Sequence, residues 1–259
     1  MAQKKLSDIF FPVWVAGAYL FLYIPIVVLV VFSFNKIAFP YRWEGFSLEW
    51  YRELFVTTDI WNAVQNSMIV GVSSVALSLI LALLFVVWCA EKNIDILMGL
   101  FYPNLVVPEI VLAVGLLSFF VFFNIPFGLH TLIVGHTLLG LGYAVPIIYN
   151  RFHSLDQRII EASLDLGATY KQTFFKVVLP MLYPALLAAG ILVFILSLDD
   201  FLIAFFCSGT TSQTLSLYIF AMIRSGVSPV VNALATLMML VSSILVIAFC
   251  SLKAKEQVV

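Results

Sequence analysis

Long apolar stretches alternating with short polar ones set the rhythm of this chain. Apolar runs cover residues 9–34, 66–90, 97–123, 130–149, 181–206 and 231–252. Each approaches or exceeds the roughly 20 residues that a helix needs to cross a hydrocarbon core about 30 Å thick. In lipid a spanning backbone must satisfy its own hydrogen bonds, which a helix does within one segment. The pattern therefore predicts an all-α polytopic membrane protein with six transmembrane helices in a single transmembrane domain, residues 9–252, between tails at 1–8 and 253–259. The first run is longer than a signal-peptide core and lacks a small-residue cleavage site, so it stays as a span. Pro25 kinks that span, and Pro103 and Pro108 interrupt the third.

The connections carry their own signals. Residues 35–61 are rich in aromatics and acids, and Ser47 can cap a short amphipathic helix through Phe55. That helix would lay Trp50, Tyr51, Leu54 and Phe55 on the membrane surface. Short loops are expected at 91–95 and 124–129. Between spans five and six, Leu215 to Ile223 is apolar but too short to cross, as suits a re-entrant or interfacial helix.

Composition narrows the function classes. Hydrophobic residues make up 63% of the chain and charged residues 10%, where soluble domains run near one quarter charged. The formal net charge of −1 and the lack of a basic patch offer nothing to a nucleic acid. Cys89, Cys207 and Cys250 are scattered and odd in number, which fits packing residues rather than a disulfide framework or metal site. No GxxxxGK[ST] loop is present, so any nucleotide would be handled by another subunit. No cofactor or metal is expected. His130, His136 and His153 have no second ligand at helical spacing and read as packed or interfacial.

One polar segment, residues 154–180, breaks the apolar rhythm. Ser154 or Asp156 can cap a helix carrying Leu155, Ile159, Ala162 and Leu166 on one face. Gly167 should stop that helix, because glycine takes the left-handed conformation without steric cost. Thr169, with Gln172 three residues on, has the form of a capping box for a second helix toward Leu179, and Pro180 suits the first turn of the next. Glu161-Ala162, Gly167, Val177 and Leu179-Pro180 resemble the EAA signature of ABC-importer permeases, E-A-A-x3-G-x9-I-x-L-P. Ser163 and Val177 replace its third Ala and its Ile. The resemblance implies a type I ABC-importer (MetI-like) permease fold in which this segment is a cytoplasmic coupling helix docking on a separate ATPase. On that reading Glu161, Ala162, Asp165, Gly167, Ala168, Thr169, Leu179 and Pro180 make the docking element.

Charge bias agrees independently. Of 13 lysines and arginines, nine (Lys4, Lys5, Lys92, Arg151, Arg158, Lys171, Lys176, Lys253 and Lys255) fall inside if both termini are cytoplasmic. Lys36, Arg42, Arg52 and Arg224 fall outside, which satisfies the positive-inside rule.

Acids inside the apolar runs are the remaining signal. Glu109 in span three and the pair Asp199-Asp200 in span five would cost roughly 2.5–3.5 kcal/mol each if they faced lipid. They are either paired in helix interfaces or line a route for a cation. Adjacent helical residues point about 100° apart, so one of Asp199 and Asp200 lines the route while the other bonds a neighbour or caps a break. Glu109 and Asp199 differ in depth by about 7–8 Å at 1.5 Å per residue, which suits an elongated cation rather than a metal ion. Trp43, Tyr51 and Trp61 offer cation–π contacts at the entrance, or a plain interfacial belt. From the residues alone, an importer of another solute (ferric ion, amino acid or anion) and an intramembrane enzyme with a carboxylate centre stay open.

Three further stretches resemble spermidine/putrescine importer permeases, and among them the C-type subunit: Tyr23 to Asn35, Leu196 to Phe201 and Gly226 to Thr236. The resemblance runs from about residue 19 to residue 250. Val230 stands where the family usually carries an acid. The resemblance implies a polyamine importer of the bacterial inner membrane, with a second homologous permease, two ATPase subunits and an extracytoplasmic binding protein as partners.

Overall fold

A computed structural model of the protein describes residues 6–37, 42–92, 97, 99, 101, 106–225, 229–240 and 243. The chain forms two compact units, one of Met1–Thr58 with Ile219–Val259 and the other of Asp59–Tyr218.

In the first unit α1 (Leu6–Phe32) is apolar all round and runs through Pro12 and Pro25. Its side chains from Phe11 to Val28 are exposed, as with Phe21 at 78%; a helix without a polar face suits lipid on every side. Beyond it the chain folds back on Asn35. The Asn35 side chain donates to the Arg42 carbonyl at 2.8 Å and accepts the Glu44 amide at 3.0 Å. The Trp50 indole donates to the Asn35 carbonyl at 2.6 Å. Helix α2 (Glu49–Val56) follows, with the Ser47 hydroxyl accepting the Glu49 amide. This corrects one expectation. Trp50 and Tyr51 are turned onto the residue 33–35 turn and Leu54 is 1% exposed, which leaves Phe55 as the exposed aromatic of the helix. Hydrogen bonds from the Trp50 indole and the Tyr51 hydroxyl outweigh the interfacial placement that amphipathicity suggested.

The second unit contains α3 (Thr58–Lys92, from its second residue), α4 (Glu109–Phe122), α5 (Leu129–His153), α6 (Gln157–Asp165), α7 (Tyr170–Asp199) and α8 (Leu202–Cys207). Helix α9 (Leu215–Ser225) carries the chain back toward the first unit, where α10 (Pro229–Leu240) lies. Helix α5 is the hub: 67% of its apolar window is buried, against 33% for α3 and 28% for α7. Ala144, Val145 and Ile148 of α5 pack with Ala82 and Val86 of α3 and Ala189 and Val193 of α7. A second cluster joins Val70, Ala113, Leu116, Phe120, Leu132, Leu139, Ile203 and Cys207, from α3, α4, α5 and α8. Where three helices converge, Gly140 admits no side chain: a Cβ there would sit 2.5 Å from Ser78 Oγ and 2.7 Å from Val193 Cγ1. Small residues at such crossings replace the hydrophobic drive that helices lack in lipid with close backbone approach.

Among the described residues four helices are long and apolar enough to cross a membrane, within Phe11–Phe32, Thr58–Cys89, Leu129–His153 and Tyr170–Asp199. Three boundaries differ from the expected ones. The second span begins at Thr58 instead of residue 66, because polar residues such as Asp59 and Gln65 are carried on the same continuous helix. The fifth stops at Asp199, with Asp200 extended and α8 following. The third is helical over Glu109–Phe122, starting after Pro108. Much of the rest of the third span and of the sixth, residues 1–5 and 253–259 of the tails, and residues 226–228 lie outside the described residues.

Candidate functional site

The break between α7 and α8 brings the intramembrane acids together. Asp200 leaves helical geometry at φ −62°, ψ 125°, and its carboxylate turns to cap α8. Oδ1 accepts the Ile203 amide at 3.2 Å and Oδ2 the Ala204 amide at 3.0 Å, satisfying donors that a helix start leaves free. Glu109 is the first residue of α4, where a carboxylate is favoured by the helix dipole. Glu109 therefore sits at the head of a helix, rather than mid-span as its position in an uninterrupted run suggested.

Glu109, Asp199 and Asp200 line one cavity of about 360 Å³, with Tyr143, Phe201 and Leu196 among its other walls. Asp199 is exposed and Glu109 half-buried, whereas Asp200 is 5% exposed. The two adjacent aspartates thus face differently: Asp199 is exposed at the cavity, whereas the buried Asp200 carboxylate is bonded to the start of α8.

Behind Asp200 stands His136 of α5, 1% exposed. Its Nε2 lies 3.4 Å from Asp200 Oδ2 and its Nδ1 2.9 Å from Ser197 Oγ. Sequence spacing could not connect His136 with either partner, because both lie on another helix far along the chain. Tyr143 was missed for the same reason. The aromatic residues singled out from sequence behave differently. Trp61 is on α3, 44% exposed, and does not line this cavity. In the first unit Trp43 meets Phe32 edge-on at 6.5 Å. The Tyr51 hydroxyl is 2.7 Å from Ser33 Oγ and its ring stacks on Phe34 at 5.1 Å.

Residues 154–180 fold as two helices joined at Gly167. Asp156, rather than Ser154, caps α6, accepting the Arg158 amide at 3.0 Å; Ser154 instead ends α5. Helix α6 ends in a Schellman motif: Gly167 N–H donates to Leu164 at 2.9 Å and Ala168 N–H to Ser163 at 3.2 Å. Gly167 has φ +86°, the left-handed conformation the motif requires. Thr169 and Gln172 then form a reciprocal capping box, at 3.3 and 2.9 Å. The Ser163 hydroxyl is 3.0 Å from that of Thr173, so the Ser that replaces Ala in the signature joins the two helices.

Pro180 stands in the first turn of the α-helical stretch Leu179–Asp199, as expected, but no loop precedes it. Helix α7 runs from Tyr170 through a π-turn at Phe174–Val178 and onward. There the Leu179 amide bonds the Phe174 carbonyl, five residues back, and the extra residue absorbs the distortion introduced by a proline without an N–H. Leu155, Val178 and Leu182 pack beneath the turn.

The outward side of this segment carries an apolar stripe among exposed polar residues. Leu166 is 90% and Tyr170 82% exposed, with Ile159 at 42% and Ala162 beside them. Glu161, Asp165 and Thr169 are also exposed, Ala168 and Leu179 half-buried. Leu155, expected on the same face, is 6% exposed and packs inward. Tyr170 extends the stripe across Gly167, a continuation hidden from helical periodicity by the break.

A polytopic helical protein with an acid-lined intramembrane cavity and a glycine-jointed polar helix pair belongs with transport permeases. The fold is that of ABC-importer membrane subunits. It superimposes with a TM-score of 0.73 on a chain of a bacterial ABC transporter that imports the acidic polysaccharide alginate (17% identity, 97% of this chain and 99% of that one). A chain of the MetNI methionine ABC transporter in an inward-facing conformation gives 0.57 (20% identity, 77% and 94%). The chain is 34% identical over 238 residues to the spermidine/putrescine transport system permease protein PotC of Escherichia coli (strain K12), covering 91% of this chain and 90% of that protein. PotC of Haemophilus influenzae is 35% identical over 232 residues (88% and 90%), and the putrescine permease PotI of E. coli 34% over 229 (85% and 82%). No family model matches the chain. The chain belongs to the family of spermidine/putrescine transport system permeases, and is a transport subunit rather than an enzyme.

Proposed function

We propose that the chain is the permease subunit of an ATP-driven polyamine importer, contributing half of the translocation path. The observation that carries this reading is the cavity in which Glu109, Asp199 and Asp200 converge beside Tyr143 and Phe201. Carboxylates repel an anionic cargo and aromatic faces attract ammonium groups. Several separated amines suit acids distributed along a cavity better than a single metal ion would. The names of the relatives, spermidine/putrescine and putrescine permeases, support the same class of cargo.

The machine we envisage has a second homologous permease, two ATPase subunits and an extracytoplasmic binding protein. ATP is bound by the ATPases, and the permease carries no cofactor. Six spans form one transmembrane domain in the bacterial inner membrane with both termini cytoplasmic, as the lysine and arginine bias favours. The Leu166–Tyr170 stripe docks on the ATPase, its exposed apolar side chains gaining burial there. Nucleotide-driven closure moves α6 and the start of α7, and through α7 the break at Asp200, so that the cavity alternates between the two sides. Trp43, Tyr51 and Trp61 remain candidates for the cation's entrance. Uptake of radiolabelled spermidine by the reconstituted assembly tests the reading: saturable, ATP-dependent uptake is expected. Uptake of an amino acid or ferric ion in its place would refute the polyamine assignment and leave the permease assignment standing.

A further inference from the structure

Asp200 stands apart from the other two acids of the cavity. Its side chain is 1% exposed, and its two oxygens accept the amides of Ile203 and Ala204. Its backbone carbonyl accepts the Ser216 hydroxyl at 2.6 Å. The ring of His136 lies against its Oδ2. Ser197 precedes the break in α7 by less than one turn and Asp200 begins it, and a single imidazole from α5 touches both, at 2.9 and 3.4 Å. Nε2 has no closer partner. A histidine that only filled space would not need both ring nitrogens aimed at the two sides of a helix break.

We infer that His136 is a positioning residue for the cation path: by bridging Ser197 to Asp200 it fixes the break in α7, and with it the aim of Asp199 toward the cavity it shares with Glu109. The inference rests on reading that cavity as the path. The break lies at Asp200, whose extended ψ of 125° turns the chain from α7 through Phe201 into α8. The amide bonds of Asp200 anchor the α8 side alone. The Asp200 amide bonds the Leu196 carbonyl of α7 at 3.0 Å, and the imidazole adds a side-chain link from Ser197 and Asp200 to the hub helix. At 3.4 Å the Nε2–carboxylate contact is longer than a full hydrogen bond and acts as a close polar contact.

Two variants separate positioning from packing. In His136→Asn an amide occupies the place of Nδ1 and keeps the Ser197 contact while losing Nε2. In His136→Gln the amide reaches the place of Nε2. The readouts are KM and maximal rate of radiolabelled spermidine uptake by the complete assembly. To these is added the rate at which a cationic methanethiosulfonate labels Asp199→Cys with Cys89, Cys207 and Cys250 replaced by Ala. His136→Asn should raise KM about tenfold and shift the labelling rate about threefold or more, and His136→Gln, which keeps the Asp200 side and gives up Ser197, should recover both only in part. Ser197→Ala, which keeps the ring but frees Nδ1, should move both in the same direction and takes over the test if His136→Asn does not assemble. Unchanged KM and labelling in His136→Asn, or loss of assembled protein at unchanged KM in all three variants, overturns the inference. A labelling shift in an assembly that takes up no spermidine would instead remove the polyamine reading and keep the positioning role.

Discussion

Replacing Gly167 isolates the mechanical joint between α6 and α7. A Cβ at Gly167 would meet nothing within 4 Å, so substitution there adds no clash. The whole effect comes from the backbone, held at φ +86°. A side chain in the left-handed region costs roughly 1–2 kcal/mol, with asparagine penalised less because its short polar side chain bonds locally. Gly167→Ala should therefore depopulate the docked geometry by a factor of about 5 to 30, Gly167→Asn by much less. Gly167→Pro, with φ locked near −65°, cannot form the Schellman bonds at all. The assay is the ratio of cargo imported to ATP hydrolysed by the reconstituted assembly, alongside the amount of assembled complex. Coupling should fall in the order Gly, Asn, Ala, Pro while assembly persists. Gly45, also at positive φ and with nothing within 4 Å, serves as the control: Gly45→Ala carries a similar backbone strain but should leave the ratio unaltered. If Gly167→Ala and Gly167→Pro both import and hydrolyse like the parent, the joint plays no part in coupling and the reasoning fails.

Two further substitutions probe the packing and the cavity. Gly140→Ala would bring a Cβ against Ser78 Oγ and Val193 Cγ1, and overpacking of this kind costs about 1–3 kcal/mol; a lowered unfolding temperature in detergent should follow, and an unchanged one would show that the three helices can separate freely. Glu109→Gln and Asp199→Asn each remove one cavity charge, so each should raise the KM for spermidine about tenfold or more with normal assembly. Kinetics identical to the parent in both would return these acids to a purely structural role.

Legibility followed the range of the interactions. Asp156, Gly167 and the Thr169–Gln172 box could be read because each cap satisfies backbone groups within four residues. The paired role of Asp199 and Asp200 was also accessible, since the 100° offset between neighbours forbids equal service. What stayed hidden depends on partners distant in sequence. His136 needed Ser197 and Asp200 from another helix, and Tyr143 joined the cavity through the α5–α7 packing. Trp50 and Tyr51 read as membrane-surface residues until Asn35 and Ser33 supplied hydrogen bonds. The π-turn at Phe174–Val178 illustrates a different gap: Pro180 suits the first turn of its helix, but residue spacing does not announce that the preceding helix runs into it without a loop.

The central claim is that a separate nucleotide-hydrolysing subunit grips the segment around Gly167. Its most direct test is site-specific photocrosslinking from Leu166 and Tyr170 in the intact membrane assembly, with and without ATP. Adducts to the ATPase that change on nucleotide binding are the expected result. Adducts only to the extracytoplasmic binding protein or to lipid, or labelling of Leu166→Cys by an impermeant reagent applied from outside the cell, would contradict it.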